Sequence, residues 1–272
     1  MPNPLRLTDT FGHLIPVKKL LISLIGLFTY PRLRWINDTT ITGAEKLARL
    51  PETNVLFVSN HQTYFADVIT MLHVFAGVKR DIDPILPPTQ SFLKRIRNPI
   101  RNPFYLLNPR VNVYFIAAEE TMKSGWLPRL FAYVGSISVK RTWREAGKDI
   151  HREVDLNDTR HIHDALDDGW VITFPQGTTR AYAPGRKGTA HIIKNYRPVV
   201  VPIVIDGFRR AFDKRGLSIK KRGVKLSVRF KDPLNIRYED DVETILHQVM
   251  QAIEQSEAFH FRSVPHPEDD PG

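Results

Sequence analysis

Short, nearly unbroken apolar runs alternate along this chain with segments whose apolar residues recur every three to four positions. The first pattern marks strands buried on both faces, and the second marks amphipathic helices. Asn54–Ser59 reads as a strand, and Thr63–Ala76 as a helix stopped by Gly77. Val111–Ala117 and Ser136–Lys140 follow as strands, with a short helix starting near Ala118 between them. Asp158–Asp168 predicts a helix, from which Gly169 turns into the strand Trp170–Phe174. Pro198–Asp206 is strongly apolar, and Val224–Lys231 alternates. Val242, Ile245, Leu246, Val249 and Ile253 repeat at helical spacing, so Glu239–Phe259 predicts an amphipathic helix. Strands alternating with helices give an α/β fold, a central, mostly parallel mixed sheet flanked by helices.

The N-terminal segment, residues 1–45, departs from this alternation. Leu20–Phe28 is apolar, follows Lys18 and Lys19, and runs into Tyr30 and the Pro31–Trp35 stretch. It falls short of the roughly 20 apolar residues that span a bilayer. Cationic and aromatic flanks fit a helix lying in the membrane interface. Residues 46–262 then form the catalytic domain, and residues 263–272 a Pro-rich, acidic, disordered tail. Charge agrees with a polyanionic surface, since 39 basic against 29 acidic residues leave a net charge of +10. Within Pro87–Arg110, Phe92, Leu93, Ile96 and Phe104 interleave with Lys94, Arg95, Arg97 and Arg101, a composition that suits an anionic bilayer as well as a solvated loop. A second basic cluster, from Arg209 to Arg222, reads as a solvated hairpin or loop between two strands. The charge would also suit nucleic acid, but that reading leaves the motifs below unexplained. Zero cysteines exclude disulfides, thiolate nucleophiles and thiolate metal sites.

The chemistry concentrates in two blocks. In the first, an apolar strand ends in Asn60-His61, and Asp67 follows. This presents an imidazole at the end of a buried strand with a carboxylate near enough to orient it. Histidine changes charge near neutrality, so an oriented imidazole is a general base for a hydroxyl. The second block is Phe174-Pro-Gln-Gly-Thr-Thr-Arg180. Backbone amides at its turn are candidates for holding a phosphate or an oxyanion. Arg141, at a strand end, is a candidate fork for phosphate or carboxylate. His161 and His163 stand two apart on a helix and so do not face one another for a metal.

Together these blocks resemble the glycerolipid acyltransferases, the membrane-associated group that includes the lysophosphatidic-acid acyltransferases. Asn60-His61 with Asp67, Gly135–Arg141, Phe174–Thr178 and Val201-Pro202-Ile203 fall in the family's order, and Gly185–Gly188 is similar to its Lys-Gly segment. The resemblance covers residues 50 to 235. It implies His61 and Asp67 as catalytic pair, with Arg141, Gln176, Gly177, Thr178, Arg180 and Lys187 binding the acceptor phosphate. It further implies acyl-CoA or acyl-carrier protein as donor, a lyso-lipid such as 1-acylglycerol-3-phosphate as acceptor, no metal or cofactor, and the cytoplasmic face of the membrane as location.

The chain departs from the family pattern in three places. Five residues, Gln62 to Ala66, separate His61 from Asp67 where the family has four. At about 100° per residue neither spacing puts the pair on one helical face, so they must straddle a loop-to-helix junction. Gln176 replaces a glutamate, and Thr179 pushes the following arginine to position 180. Two alternatives stay open on these grounds: a lyso-aminolipid or other lysophospholipid acceptor, and a catalytically inactive lipid-binding relative.

Overall fold

The computed structural model describes residues 7–78, 112–119, 122, 126–139 and 156–262. Its centre is a seven-stranded sheet: β1 (Asp38–Thr42), β2 (Val55–Ser59), β3 (Asn112–Ala118), β4 (Ser136–Val139), β5 (Gly169–Thr173), β6 (Val199–Asp206) and β7 (Lys225–Phe230). The spatial order is β1-β7-β6-β2-β5-β3-β4. Only the β6–β7 pairing is antiparallel. β2 lies between β5 and β6, and every residue of β2 and β5 is buried. That is why their sequences are continuously apolar rather than alternating.

Helices cover both faces. α1 (Ile15–Pro31), α2 (Ala66–Val78) and α3 (Trp126–Gly135) pack on one side, over Phe57, Phe115, Trp170, Ile172 and Ile203. α4 (Leu156–Asp168), α5 (Lys187–Tyr196) and α7 (Val242–Ala252) pack on the other, over Leu56, Val58, Val171 and Val200. The four-residue helix α6 (Phe208–Ala211) links β6 to the segment before β7. α2 is buried from Ala66 to Gly77, which explains why it is apolar all round. The helix passes through Gly77 to Val78, where glycine was expected to stop it.

α7 is shorter than its periodicity predicts. It is capped by Asp241, which accepts the Thr244 amide at 2.7 Å, and it ends at Ala252. Glu254 adopts a left-handed conformation (φ 58°), and its carboxylate is held by Arg229 at 2.8 Å and Lys231 at 3.0 Å. Those two cations on and just after β7 fix the chain reversal that the apolar repeat does not encode. Asp38–Thr42, grouped above with the N-terminal segment, is an edge strand of the sheet. The predicted tail from Pro265 and the segment Pro87–Arg110 lie outside the described residues.

α1 turns a mixed polar and apolar side inward. Its buried residues are Lys18, Ile22, Ser23, Gly26 and Tyr30. Lys18 pairs with buried Asp9 at 3.2 Å and lies 4.2 Å from the Tyr114 ring centroid. Burial pushes the Lys18 ammonium down, and Asp9 opposes that shift. Near its other end, Thr29 Oγ1 lies 2.9 Å from Nε2 of His73 on α2. The outward side carries Leu20 at 54%, Leu24 at 53%, Leu27 at 48% and Phe28 at 68% exposure, with Trp35 beyond at 65%. Among the described residues, no helix is long and apolar enough to cross a membrane.

Candidate active site

The site lies where β2 and β5 end beside β6. The register pairs Val58 with both Thr173 and Pro202, and Ser59 with Ile203, and β6 runs on to Asp206. Crevices outside the carboxyl ends of parallel strands are the usual binding places of such sheets. Asn60 extends the ladder with its side chain. Its Nδ2 donates to the Ile205 carbonyl at 2.9 Å, and its Oδ1 accepts the Ile205 amide at 2.8 Å. A carboxamide alone supplies that donor–acceptor pair. The bond frees the backbone to turn, and His61 is delivered at the turn.

His61 Nδ1 lies 2.9 Å from Oδ2 of Asp67. The pair straddles a junction: residues 62–65 are bends, α2 begins at Ala66, and Asp67 stands in its first turn. Asp67 is fully buried. Its Oδ2 also accepts the amides of Gln62 at 2.6 Å and Thr63 at 3.0 Å, and its Oδ1 accepts the Thr63 hydroxyl at 2.7 Å. Four donors therefore converge on one carboxylate at a helix N-terminus, where negative charge is favoured. A neutral imidazole beside this carboxylate carries its proton on Nδ1 and a lone pair on Nε2. Nε2 has no hydrogen-bond partner among the described residues, and the side chain keeps 13% exposure. Phe174, leaving β5, stacks on the imidazole with centroids 3.9 Å apart and planes 21° from parallel. The ring is thus fixed by a hydrogen bond at its edge and by a face contact.

The second block folds as a closed loop from Pro175 to Arg186. The Arg186 amide donates to the Pro175 carbonyl at 2.9 Å, and the Gly177 amide closes a turn on the Phe174 carbonyl at 2.9 Å. Proline has no amide and that of Gly177 is engaged, which leaves the Gln176 and Thr178 amides as the donors of this turn to which the anion-binding expectation applies. Gly177 has φ 59°, and a Cβ there would lie 2.7 Å from Nη1 of Arg186. Glycine is needed for both reasons, conformation and the guanidinium lying against it. Thr178 Oγ1 accepts the Arg180 amide at 3.3 Å, and the Arg180 side chain is exposed.

Gln176 points inward, at 1% exposure. Its Nε2 donates to the Ala183 carbonyl at 2.9 Å and to Oε1 of Gln255 at 3.2 Å. Gln255 Oε1 accepts the Tyr182 amide at 2.9 Å as well. Lys187, at the start of α5, forms an exposed ion pair with Glu243 of α7, and that contact holds the Glu243 carboxyl below its usual range. Arg141 lies outside the described residues. The structure thus brings His61 and Asp67 into contact. Gly177 packs within its own loop, Gln176 links that loop to Gln255, and Lys187 pairs with α7.

Sequence reading missed the residues that join the two blocks. Gln62 Oε1 accepts the amides of Phe208 at 2.9 Å and Arg209 at 3.3 Å, at the start of α6. Arg209 Nη2 in turn donates to the Thr179 carbonyl. One arginine thereby ties the segment after His61 to the loop after β5. Position directly after Asn60-His61 was the only available signal for Gln62, and none marked Arg209. His161 and His163 diverge, the first against Phe11 at 5.7 Å and the second against Tyr196 at 4.7 Å between ring centroids.

No protein-family model matches this chain. No curated protein matches it either. Among solved structures, it is similar to the 1-acyl-sn-glycerophosphate (LPA) acyltransferase PlsC from Thermotoga maritima, with 17% identity, a TM-score of 0.47, and coverage of 88% of this chain and 80% of that one.

Proposed function

We propose that this protein is an acyltransferase. It moves a fatty acyl chain from acyl-CoA or acyl-carrier protein to the hydroxyl of a lyso-lipid, with 1-acylglycerol-3-phosphate as the first acceptor to test. The observation that carries this reading is the His61–Asp67 pair, 2.9 Å apart, with the carboxylate buried and Nε2 directed away from it. The motif order from Asn60 to Ile203 supports it.

In this mechanism Nε2 of His61 takes the acceptor hydroxyl proton as the oxygen attacks the thioester carbonyl. Asp67 holds the tautomer and stabilises the imidazolium that forms. The tetrahedral intermediate collapses, the C–S bond breaks, and His61 passes its proton to the departing sulfur, which leaves as the thiol and restores the neutral imidazole. A thiol is a good leaving group, so no second acid is required. Arg180 and Arg209, around the Thr178–Thr179 turn, supply positive charge for a phosphate acceptor. Gln176 acts here as a positioning residue, since its Nε2 is spent on the loop and on Gln255.

Residues 15–35 place the enzyme on the membrane. The outward row Leu20, Leu24, Leu27 and Phe28, with Trp35, is the face an interfacial helix inserts among acyl chains. Because α1 also contributes Ile22 and Tyr30 to the core and packs on α2 and α3, its removal would uncover both helices. Outward substitutions are therefore the better probe.

The test is acyl transfer by the purified chain from labelled acyl-CoA and acyl-carrier protein. The acceptors are lysophosphatidic acid, other lysophospholipids and lyso-aminolipids. Product with at least one pair supports the reading, and its identity names the acceptor. No product with any pair, from folded protein on vesicles, refutes it.

A further inference from the structure

Residues 212–222 form a hairpin closed by the Phe212–Ile219 bridge. Asp213 Oδ1 fastens it by accepting the amides of Leu217 at 2.8 Å and Ser218 at 3.0 Å. Lys214, Arg215, Lys220, Lys221 and Arg222 are all exposed, and none forms an ion pair among the described residues. An ordinary solvated loop has no reason to hold its backbone this tightly or to contact two functional regions.

This hairpin does both. At one side, the Lys214 and Arg215 carbonyls accept the amides of Tyr64 at 3.0 Å and Phe65 at 2.9 Å, in the loop between His61 and α2. At the other, Arg32 donates to the Leu217 carbonyl while its guanidinium sits 4.3 Å from the centroid of exposed Phe28. The Gly223 amide also donates to the Ile36 carbonyl at 2.8 Å, directly after exposed Trp35. The hairpin that carries these cations is therefore joined both to the segment bearing Phe28 and Trp35 and to the loop that follows the base.

We propose that the 213–222 hairpin is a contact for anionic lipid headgroups, forming one docking surface with the outward face of α1. This rests on the membrane reading of α1 given above. Clustered cations beside an apolar helix face match the layering of an anionic leaflet, with charge at headgroup depth and hydrocarbon beneath. A soluble polyanion would satisfy the cations but leave Phe28 and Trp35 in water. Through the Tyr64 and Phe65 amides, the same contact holds the His61 loop close to the bilayer surface from which a lipid acceptor arrives.

The experiment is sedimentation of the full chain with vesicles of phosphatidylcholine alone and of phosphatidylcholine mixed with phosphatidylglycerol. Wild type is compared with the neutralised hairpin Lys214→Gln/Arg215→Gln/Lys220→Gln/Lys221→Gln and with Leu24→Ser/Phe28→Ser. Each cation near an anionic leaflet contributes about fivefold to partitioning. The hairpin variant is expected to lose on the order of 100-fold or more on anionic vesicles and little on neutral ones. The α1 variant is expected to lose binding on both. The substitutions keep every backbone bond, and if the fourfold variant misfolds, Lys220→Gln/Lys221→Gln alone should still lose about 25-fold.

Wild-type binding of the hairpin variant to anionic vesicles overturns the proposal. A hairpin variant with normal sedimentation and a raised KM for soluble acyl-CoA overturns it in favour of a donor site. If wild type binds neither vesicle, the membrane reading of α1 falls with it. If only the hairpin variant is unchanged, the hairpin falls alone.

Discussion

Gln176 stands where the acyltransferase pattern has glutamate, so Gln176→Glu looks like a restoration. The structure predicts damage instead. The side chain is 1% exposed, and its amide donates at 2.9 Å to Ala183 and at 3.2 Å to Gln255. A carboxylate would face two acceptors. Turning the Gln255 amide would give it one donor but would take the acceptor from the Tyr182 amide, now bonded at 2.9 Å. Gln176 Oε1 already lacks a partner, so what the carboxylate adds is a buried, uncompensated charge and the loss of the Nε2 bonds, a cost of about 3 kcal/mol. For a chain of this size that lowers Tm by about 6–12 °C. The pH dependence identifies the cause. A glutamate held neutral inside has its folded pKa raised above the unfolded value, about 4.3. The deficit is then absent below that value and grows as pH rises through it towards the folded pKa. Urea denaturation at about pH 4 and pH 8 should show a small difference from wild type at the first and the full one at the second. Equal or greater stability of Gln176→Glu at both values, with faster transfer, would refute a positioning role for this amide.

Three further outcomes follow from single contacts. His73 is fully buried, and desolvation pulls it from 6.5 to about 4. The unfolded chain takes up that proton first, so stability present above pH 6.5 falls with pH and the loss is nearly complete near pH 4, about 3 kcal/mol in all. His73→Gln should remove this part of the acid sensitivity, measured as the change in urea midpoint between pH 7 and about 4.5. Asn60→Asp puts a carboxylate against the Ile205 carbonyl and should destabilise by about 2–3 kcal/mol in the same assay, whereas the exposed change Lys221→Gln should be silent. Asp67→Asn should lower kcat at least about 100-fold with a small change in KM, because it disturbs the imidazole rather than the binding surface.

The sheet was legible because β2, β5 and β6 are buried on both faces and therefore write themselves as apolar runs. β1 was not, since an edge strand of sequence Asp-Thr-Thr-Ile-Thr needs few apolar residues. α5 was missed because it buries only Thr189, Ala190 and Ile193, too few to set a period. In the site, His61 and Asp67 stood out by residue type and by the strand preceding them. The contacts that hold them there are long-range: Asn60 to Ile205, Gln62 to Phe208, Arg209 to Thr179. No local pattern encodes a bond across that much chain. The basic cluster was visible as charge, but its attachment to Tyr64 and Phe65 runs through backbone carbonyls, to which side-chain identity is blind.

The central claim is that Nε2 of His61, held by Asp67, deprotonates an acyl acceptor. The most direct measurement is the transfer rate of His61→Ala beside wild type, with the acceptor that wild type uses best and with folding checked by circular dichroism. The account predicts a loss of at least about 100-fold in kcat with vesicle binding retained. Transfer by folded His61→Ala at the wild-type rate would contradict it.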